Sequence, residues 1–251
     1  MIKRRGVFTR YDLVFNDFNF AEFVFVEDIR RPFLPPVENQ FIKTGKYGYR
    51  HRQSRTGSTT IEVDIRLIEK DRWTVGELRQ YLASKLITKE PKVLQCRDTE
   101  NHDIAILDGN IDFERFLYTG FATLTFVNPS GLQYRNLNKV TVKNEIFNVG
   151  SIAVQPQIIV KPSGTLTKLT IRNKTTAQFL EVTRSLNTTQ TLQFGRFDNQ
   201  HRYEEVFLLN GNPDMKNLAF SSDFFYLEPG RNEIEIVGAA QAEFSYWECH
   251  S

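Results

Sequence analysis

The sequence predicts a mainly β protein with one α-helix, arranged as an N-terminal α+β domain followed by a C-terminal β-sandwich. Three observations support this: an excess of phenylalanine, several short segments with strand-like alternation, and a single segment with helical periodicity. The chain has 251 residues, of which 21 are Phe and only 2 are Trp. Aromatic side chains fit pleated, half-buried surfaces better than helices, so this composition favours strands.

Length and charge exclude several classes of protein. At roughly 100 to 200 residues per domain, the chain forms one large domain or two small ones. Lys and Arg total 32 against 30 Asp and Glu, and a net charge of +2 argues against a dedicated nucleic-acid binder. No apolar run approaches the roughly 18 residues that a membrane span needs, and we expect no membrane insertion. Acidic residues soon follow the basic N-terminus, so we predict no signal peptide.

The first half contains the clearest strands and the one convincing helix. Residues 60–67 alternate strictly between apolar and polar, which is typical of a sheet with one wet face. Residues 20–26, 121–127 and 93–96 are further strand candidates. Leucines recur at helical spacing over 74–87, and Thr74 and Glu77 fit a capping box at its start. We interpret this helix as one that covers the core, and a partner-binding helix is the alternative.

The second half is predicted to be a β-sandwich or jelly roll. The breaker Asn128-Pro129-Ser130-Gly131 and a polar stretch running to Glu145 place a domain boundary near 130–140. The predicted domains are therefore 1–135 and 140–251. Short strand candidates then recur, which suits a sandwich; they are 158–160, 166–171, 178–183, 191–194, 205–209, 233–237 and 244–247.

A search for catalytic and metal-binding motifs finds none. The chain has no HExxH, CxxC, Walker A, GxGxxG or GxSxG pattern, and its two cysteines and four histidines show no metal-ligand spacing. We therefore expect no cofactor, no metal and no catalytic residues. The carboxylates Glu233 and Glu235 would share one face of a strand, as in a sandwich hydrolase. The favoured interpretation is the wet face of an amphipathic strand, because Ile234 and Ile236 alternate with them.

A basic segment is the one unusual charge feature. No carboxylate occurs between Glu38 and Glu62, and three glycines suggest a flexible or hairpin-like segment. It would face phosphate, an acidic partner or another subunit, with a solvated loop as the alternative. The candidate interface or channel residues are Lys43, Lys46, Arg50, Arg52 and Arg55.

The order of these parts resembles the distal tail proteins of long-tailed phages that infect Gram-positive bacteria. The resemblance rests on four short segments in sequence order, and it covers nearly the whole chain. The segments are Gly57-Ser-Thr-Thr-Ile-Glu-Val63 followed by the helix, Phe121-Ala-Thr-Leu-Thr-Phe-Val-Asn-Pro129, Asn148-Val-Gly-Ser-Ile-Ala-Val-Gln-Pro156 and Tyr226-Leu-Glu-Pro-Gly-Arg-Asn232.

The resemblance implies a structural role without catalysis. It implies a hexameric ring built by the N-terminal domains, with a galectin-like C-terminal sandwich pointing outward. The ring would join the tail tube protein to the tail-associated (tape-end or spike) protein, and it would carry receptor-binding proteins in some phages. DNA would pass through its centre without specific binding. The expected location is the tail tip of the virion, after assembly in the host cytoplasm.

A carbohydrate-binding module is the alternative function, in which the sandwich attaches to the host surface. Trp247 is the candidate for stacking on a sugar ring. The strand pattern places it on the opposite side from Phe244 and Tyr246.

Overall fold

The computed structural model describes residues 13–43, 48–68, 75–109, 120–142, 144–238 and 240–251. Apart from the last residue, the chain divides into two compact units, Met1–Gln133 and Tyr134–His250. Within the described residues the regular structure is mostly β-strand with one α-helix, so the predicted fold class is confirmed. No helix in these ranges is long and apolar enough to cross a membrane.

The first unit is built around seven antiparallel strands, a separate hairpin and the helix. Its strands are β1 Leu13–Phe15, β2 Phe18–Asn19, β3 Val24–Arg30, β4 Val37–Lys43, β5 Tyr49–Thr56, β6 Thr59–Leu67, β7 Lys92–Cys96, β8 His102–Asp108 and β9 Phe121–Asn128, and its helix is α1 Val75–Leu86. The sheet follows the order β2-β1-β7-β8-β9-β6-β3. Strands β4 and β5 form a two-stranded sheet of their own.

The alternating strand and the helix share one core. The inward residues of β6, including Ile61 and Val63, are fully buried. Leu78, Leu82 and Leu86 lie one turn apart on α1 and pack into the same cluster of buried side chains. The helix therefore covers the core, as the periodicity predicts. The proposed capping residue Thr74 lies outside the described residues.

The predicted strand at 20–26 is only partly correct. Phe20–Glu22 forms a turn of 3₁₀ helix, and the strand begins at Val24. The cause is local, because the Asn19 side chain accepts a hydrogen bond from the Ala21 amide at 3.0 Å and turns the backbone. The apolar run in the sequence does not reveal this hydrogen bond from the Ala21 amide to the Asn19 side chain.

The second unit contains two sheets with apolar inner residues. Its strands are β10 Gln133–Val142, β11 Glu145–Asn148, β12 Gln157–Pro162, β13 Leu169–Asn173, β14 Gln178–Val182, β15 Leu192–Phe197, β16 Tyr203–Leu209, β17 Asn212–Pro213, β18 Gly230–Val237 and β19 Ala240–His250. One sheet has the order β17-β16-β15-β12-β19-β10, and the other has the order β11-β18-β13-β14. Phe194, Phe207 and Phe244 are fully buried.

The polar stretch before Glu145, where the sequence predicts no strand, contains one. Strand β10 runs through it for 10 residues, and most of its side chains are exposed. Tyr134 and Val142 near its ends are buried. A strand that is wet on most positions lacks the alternation by which strands are recognised in a sequence, which explains why this one was missed.

Candidate functional site

The hairpin formed by β4 and β5 is the most exposed regular element of the first unit. Both strands pair only with each other. Every residue in them is exposed except Gln53, which is half-buried. Two-stranded hairpins are at best marginally stable in water on their own. This hairpin is therefore a candidate for contact with another molecule.

A β-bulge gives the hairpin two different faces. Gln40 pairs with Gln53, but the next pair joins Phe41 to His51, so Arg52 is the extra residue. The bulge reverses the alternation of β5 and brings Arg50 onto the same side as Arg55. A regular strand would place these two arginines, five residues apart, on opposite sides.

We call the two sides the aromatic face and the arginine face. The aromatic face consists of Val37, Asn39, Phe41, Lys43, Tyr49, His51, Ser54 and Thr56. The arginine face consists of Glu38, Gln40, Ile42, Arg50, Gln53 and Arg55.

Side-chain contacts support this division into faces. On the aromatic face, the rings of Phe41 and His51 meet edge-on at 5.7 Å, and His51 Nε2 lies 2.8 Å from Ser54 Oγ. On the arginine face, the Gln53 side-chain amide lies 3.1 Å from Gln40 Oε1 on the opposite strand. Side-chain contacts on each face therefore cross between the two strands.

A buried charge network holds the segment that leads into the hairpin. Arg31 Nη1 donates to Asp103 Oδ2 at 2.9 Å, and Arg31 Nε donates to Asp98 Oδ2 at 2.7 Å. Burial would lower the pKa of Arg31, but the charges of Asp103 and Asp98 outweigh it and raise the pKa above its usual value. Asp103 also accepts from Asn128 Nδ2 at 3.0 Å. No sequence motif predicts this network, because its members are far apart in the chain.

Two close backbone approaches fix the hairpin's base. The Gly57 amide donates to the Pro36 carbonyl at 2.6 Å, so the two ends of the hairpin meet. Asn128 folds the following loop by accepting from the amides of Ser130 and Gly131 at 3.1 and 3.2 Å. A methyl group on Gly131 would lie 2.5 Å from the Gly57 carbonyl oxygen, so no larger residue fits there. The breaker predicted from the sequence is thus also a packing element.

The structure places four of the five predicted basic residues on this hairpin, and Lys46 lies outside the described residues. Arg50 and Arg55 lie on the arginine face, Lys43 lies on the aromatic face at the end of β4, and Arg52 occupies the bulge. All four are exposed. Their role at an interface or channel stays a prediction.

Trp247, the candidate for sugar stacking, has one ring face covered. The ring of His201 stacks on it at a centroid distance of 3.9 Å and an angle of 25°. Tyr134 approaches it edge-on at 6.4 Å. His201 is held in a left-handed backbone conformation, φ +59°, in a turn closed by Asp198, whose carboxylate accepts from the amides of Gln200 and Arg202. A sugar would have to use the other ring face.

The two carboxylates considered for hydrolysis lie in an ion-pair cluster. Lys174 Nζ is 3.3 Å from Glu233 Oε1 and 3.1 Å from Glu235 Oε1. The hydrogen bonds that Lys174 donates to Glu235 and Glu233 raise the pKa of its amine above the usual value. This arrangement matches the wet face of an amphipathic strand, as the alternation indicates. In the described part of the chain, no group of three or more His, Cys, Asp or Glu side chains is placed to hold a metal ion.

Comparisons with known proteins identify the family. Residues 149–250 match the siphovirus-type tail component, C-terminal domain, and residues 20–128 match the phage tail protein RIFT-related domain. The chain belongs to the distal tail protein family of siphovirus tail components. This membership confirms the resemblance noted from the short sequence segments, and it gives the protein a structural role in the phage tail tip.

One solved structure shares the fold, and two others match more distantly. The Dit protein of phage SPP1, described as a paradigm of hub adsorption apparatus in phages that infect Gram-positive bacteria, matches with a TM-score of 0.74 at 16% identity. The match covers 95% of this chain and 98% of that one. The phage p2 baseplate in its activated conformation with strontium matches with a TM-score of 0.46 at 10% identity, over 88% of this chain and 90% of that one. The same baseplate with calcium matches with a TM-score of 0.49 at 11% identity, over 91% of this chain and 90% of that one. No curated protein matches the sequence.

Proposed function

We propose that this protein forms a hexameric ring at the tail tip and acts as the hub between the tail tube protein and the tail-associated protein. The observation that carries the proposal is the hairpin β4–β5, which is fixed at its base by the hydrogen bond from Gly57 to Pro36 and whose strands pair only with each other among the described strands. A ring needs a surface on one side of each subunit that meets a different surface on the next. A projecting hairpin suits such a head-to-tail contact.

Partners and location follow from the hub role. The tail tube protein and the tail-associated protein would dock on opposite sides of the ring, receptor-binding proteins would attach at its periphery, and assembly would take place in the host cytoplasm. DNA would pass through the centre without specific binding, for which the net charge of +2 is suitable. The hub needs no catalytic residue and no cofactor.

The decisive experiment compares the full chain with a variant that lacks the hairpin. Because the Gly57 amide contacts the Pro36 carbonyl, residues 37–56 can be replaced by a two-residue turn with little change at the base. We expect the full chain to show a mass of about six subunits by light scattering and rings with open centres in negative-stain images, and the variant to be a folded monomer. A hairpin-free chain that still forms rings would contradict the proposal.

A further inference from the structure

We infer that the hairpin meets a second copy of this chain through its aromatic face, which packs on the outer surface of the neighbour's main sheet around Phe121. The arginine face then stays open to solvent or to the channel. This inference rests on the proposed ring and deepens it, because it decides which side of the hairpin is buried. The sequence left this open, since the basic residues would serve either an interface or a channel.

The aromatic face has the chemistry of a surface that becomes buried. Val37, Phe41 and Tyr49 are 58%, 60% and 72% exposed, and they lie on one side of the hairpin. Among the described residues of that side, Lys43 is the only Lys, Arg, Asp or Glu, and it lies at the end of β4. Aromatic residues are enriched and lysine is depleted at the centres of protein interfaces. Covering this face would also supply the packing that an isolated hairpin lacks.

The arginine face has the opposite character. If this face were buried against a neighbour, Arg50 and Arg55 would bring two positive charges and Glu38, opposite Arg55, only one negative charge, and burying an unpaired charge is costly. Five acidic side chains of the first unit already hold other arginines: Glu62 and Asp64 bind Arg30, Glu27 binds Arg66, and Asp98 and Asp103 bind Arg31. Against that part of a neighbouring copy, the arginine face would meet carboxylates that are already paired.

The first unit carries a second exposed aromatic patch at the far end of β9. Phe25, Arg66 and Phe121 are paired across three adjacent strands and point outward together. Phe121 is 57% exposed, and the Arg66 guanidinium lies 5.4 Å from the centre of the Phe25 ring. Guanidinium groups and aromatic rings attract each other, so this patch suits Phe41 and Tyr49 of another copy.

The positions of the two surfaces favour a head-to-tail contact. The loop after β9 packs against the hairpin base through Gly131, whereas Phe121 begins β9. At about 3.3 Å per residue, the 8 residues of β9 separate the patch from the base by roughly 23 Å. Each subunit would then carry the hairpin at one end and the receiving patch at the other. A contact of this kind repeats from subunit to subunit, and it makes a closed ring when the rotation between neighbours adds up to a full turn.

Three variants of the full chain test the inference. The first, Phe41→Ser with Tyr49→Ser, removes both aromatic rings from the aromatic face. The second, Arg50→Glu with Arg55→Glu, reverses the charge of the arginine face. The third, Phe121→Ser, removes the exposed ring of the receiving patch. Association is measured by light scattering over a concentration series, and folding is checked by thermal melting. We expect the first and third variants to associate at least about ten-fold more weakly than the wild type, and the arginine variant to stay within about two-fold of it.

The outcomes separate this inference from the proposed function. Suppose that the wild type forms a ring, that the arginine variant does not, and that the Phe41 and Tyr49 variant still does. This result would overturn the face assignment and leave the hub proposal standing. Normal association of the Phe121→Ser chain would overturn the receiving patch. A wild type that stays monomeric at every concentration would overturn both proposals.

Discussion

The network that anchors the hairpin gives the sharpest stability prediction. Arg30 and Arg31 are neighbours in the chain, and each binds two carboxylates. They differ in burial: the Arg31 side chain is 17% exposed and its partner Asp103 is 2% exposed, whereas Arg30 is 51% exposed. Replacing each with methionine keeps the length of the side chain and removes the charge, so the two variants form a matched pair.

The expected cost follows from what Arg31→Met leaves behind. Asp103 would keep the hydrogen bond from Asn128 but lose its counter-charge in a buried position. Removing one partner of a fully buried pair costs about 3–5 kcal/mol. Because Arg31 and Asp98 are partly exposed, we expect a cost near the lower limit, about 3 kcal/mol. For a unit of this size the melting temperature would fall by about 10 °C.

Calorimetry of the full chain checks this prediction. We expect Arg30→Met to melt close to the wild type, because exposed ion pairs contribute little. The raised pKa of Arg31 adds a second check. A group with a raised pKa contributes to the free energy of unfolding until the pH rises through its folded-state pKa. For Arg31 that pKa lies above any assay pH. The difference in melting temperature between the two variants should therefore not change between about pH 6 and 9. Equal melting temperatures for the two variants would refute the reasoning.

Three further predictions concern packing. Gly131→Ala should melt several degrees below Gly120→Ala in a thermal scan, because both have positive φ, +66° and +73°, but only the first added methyl group meets backbone. Cys96 and Cys249 should not react with a thiol reagent at pH 8 until the protein is unfolded, since burial raises the pKa of each thiol to about 12. Trp247→Ala should lower the stability of the second unit by about 1–2 kcal/mol in calorimetry and leave host adsorption of the assembled phage unchanged.

Strands with one buried face were predictable from the sequence, and strands without one were not. Residues 60–67 alternate because β6 buries every second side chain. The neighbouring β4 and β5 have no buried face, so only glycines and a charge imbalance marked them. Strand β10, in which most side chains are exposed, is not predicted for the same reason. Hydrophobic alternation in a sequence indicates which side chains are buried within the same chain. It does not reveal a strand whose side chains would be buried only by a partner.

The candidate site shows a second limit of sequence reasoning. The sequence singles out the basic segment as a candidate interface, and that role stays a prediction. The distribution of its charges over two faces depends on the bulge at Arg52, and nothing in the sequence predicts a bulge there. The network of Arg31, Asp98 and Asp103 was equally hidden, because it joins residues about 70 positions apart. Sequence reasoning thus found the element and missed the geometry that decides its use.

The phenylalanine excess has two separate causes, and only the structure distinguishes them. Many of the 21 Phe residues fill the two cores, as the composition predicts. Others are exposed, among them Phe33 at 96%, Phe41 at 60% and Phe121 at 57% in the first unit. Aromatic rings left in water promote non-specific association unless a partner covers them. Phe33 and Phe41 belong to the hairpin and the segment leading to it, and Phe121 lies in the receiving patch. The proposed contact between subunits would account for the exposure of Phe41 and Phe121, because it would bury both rings.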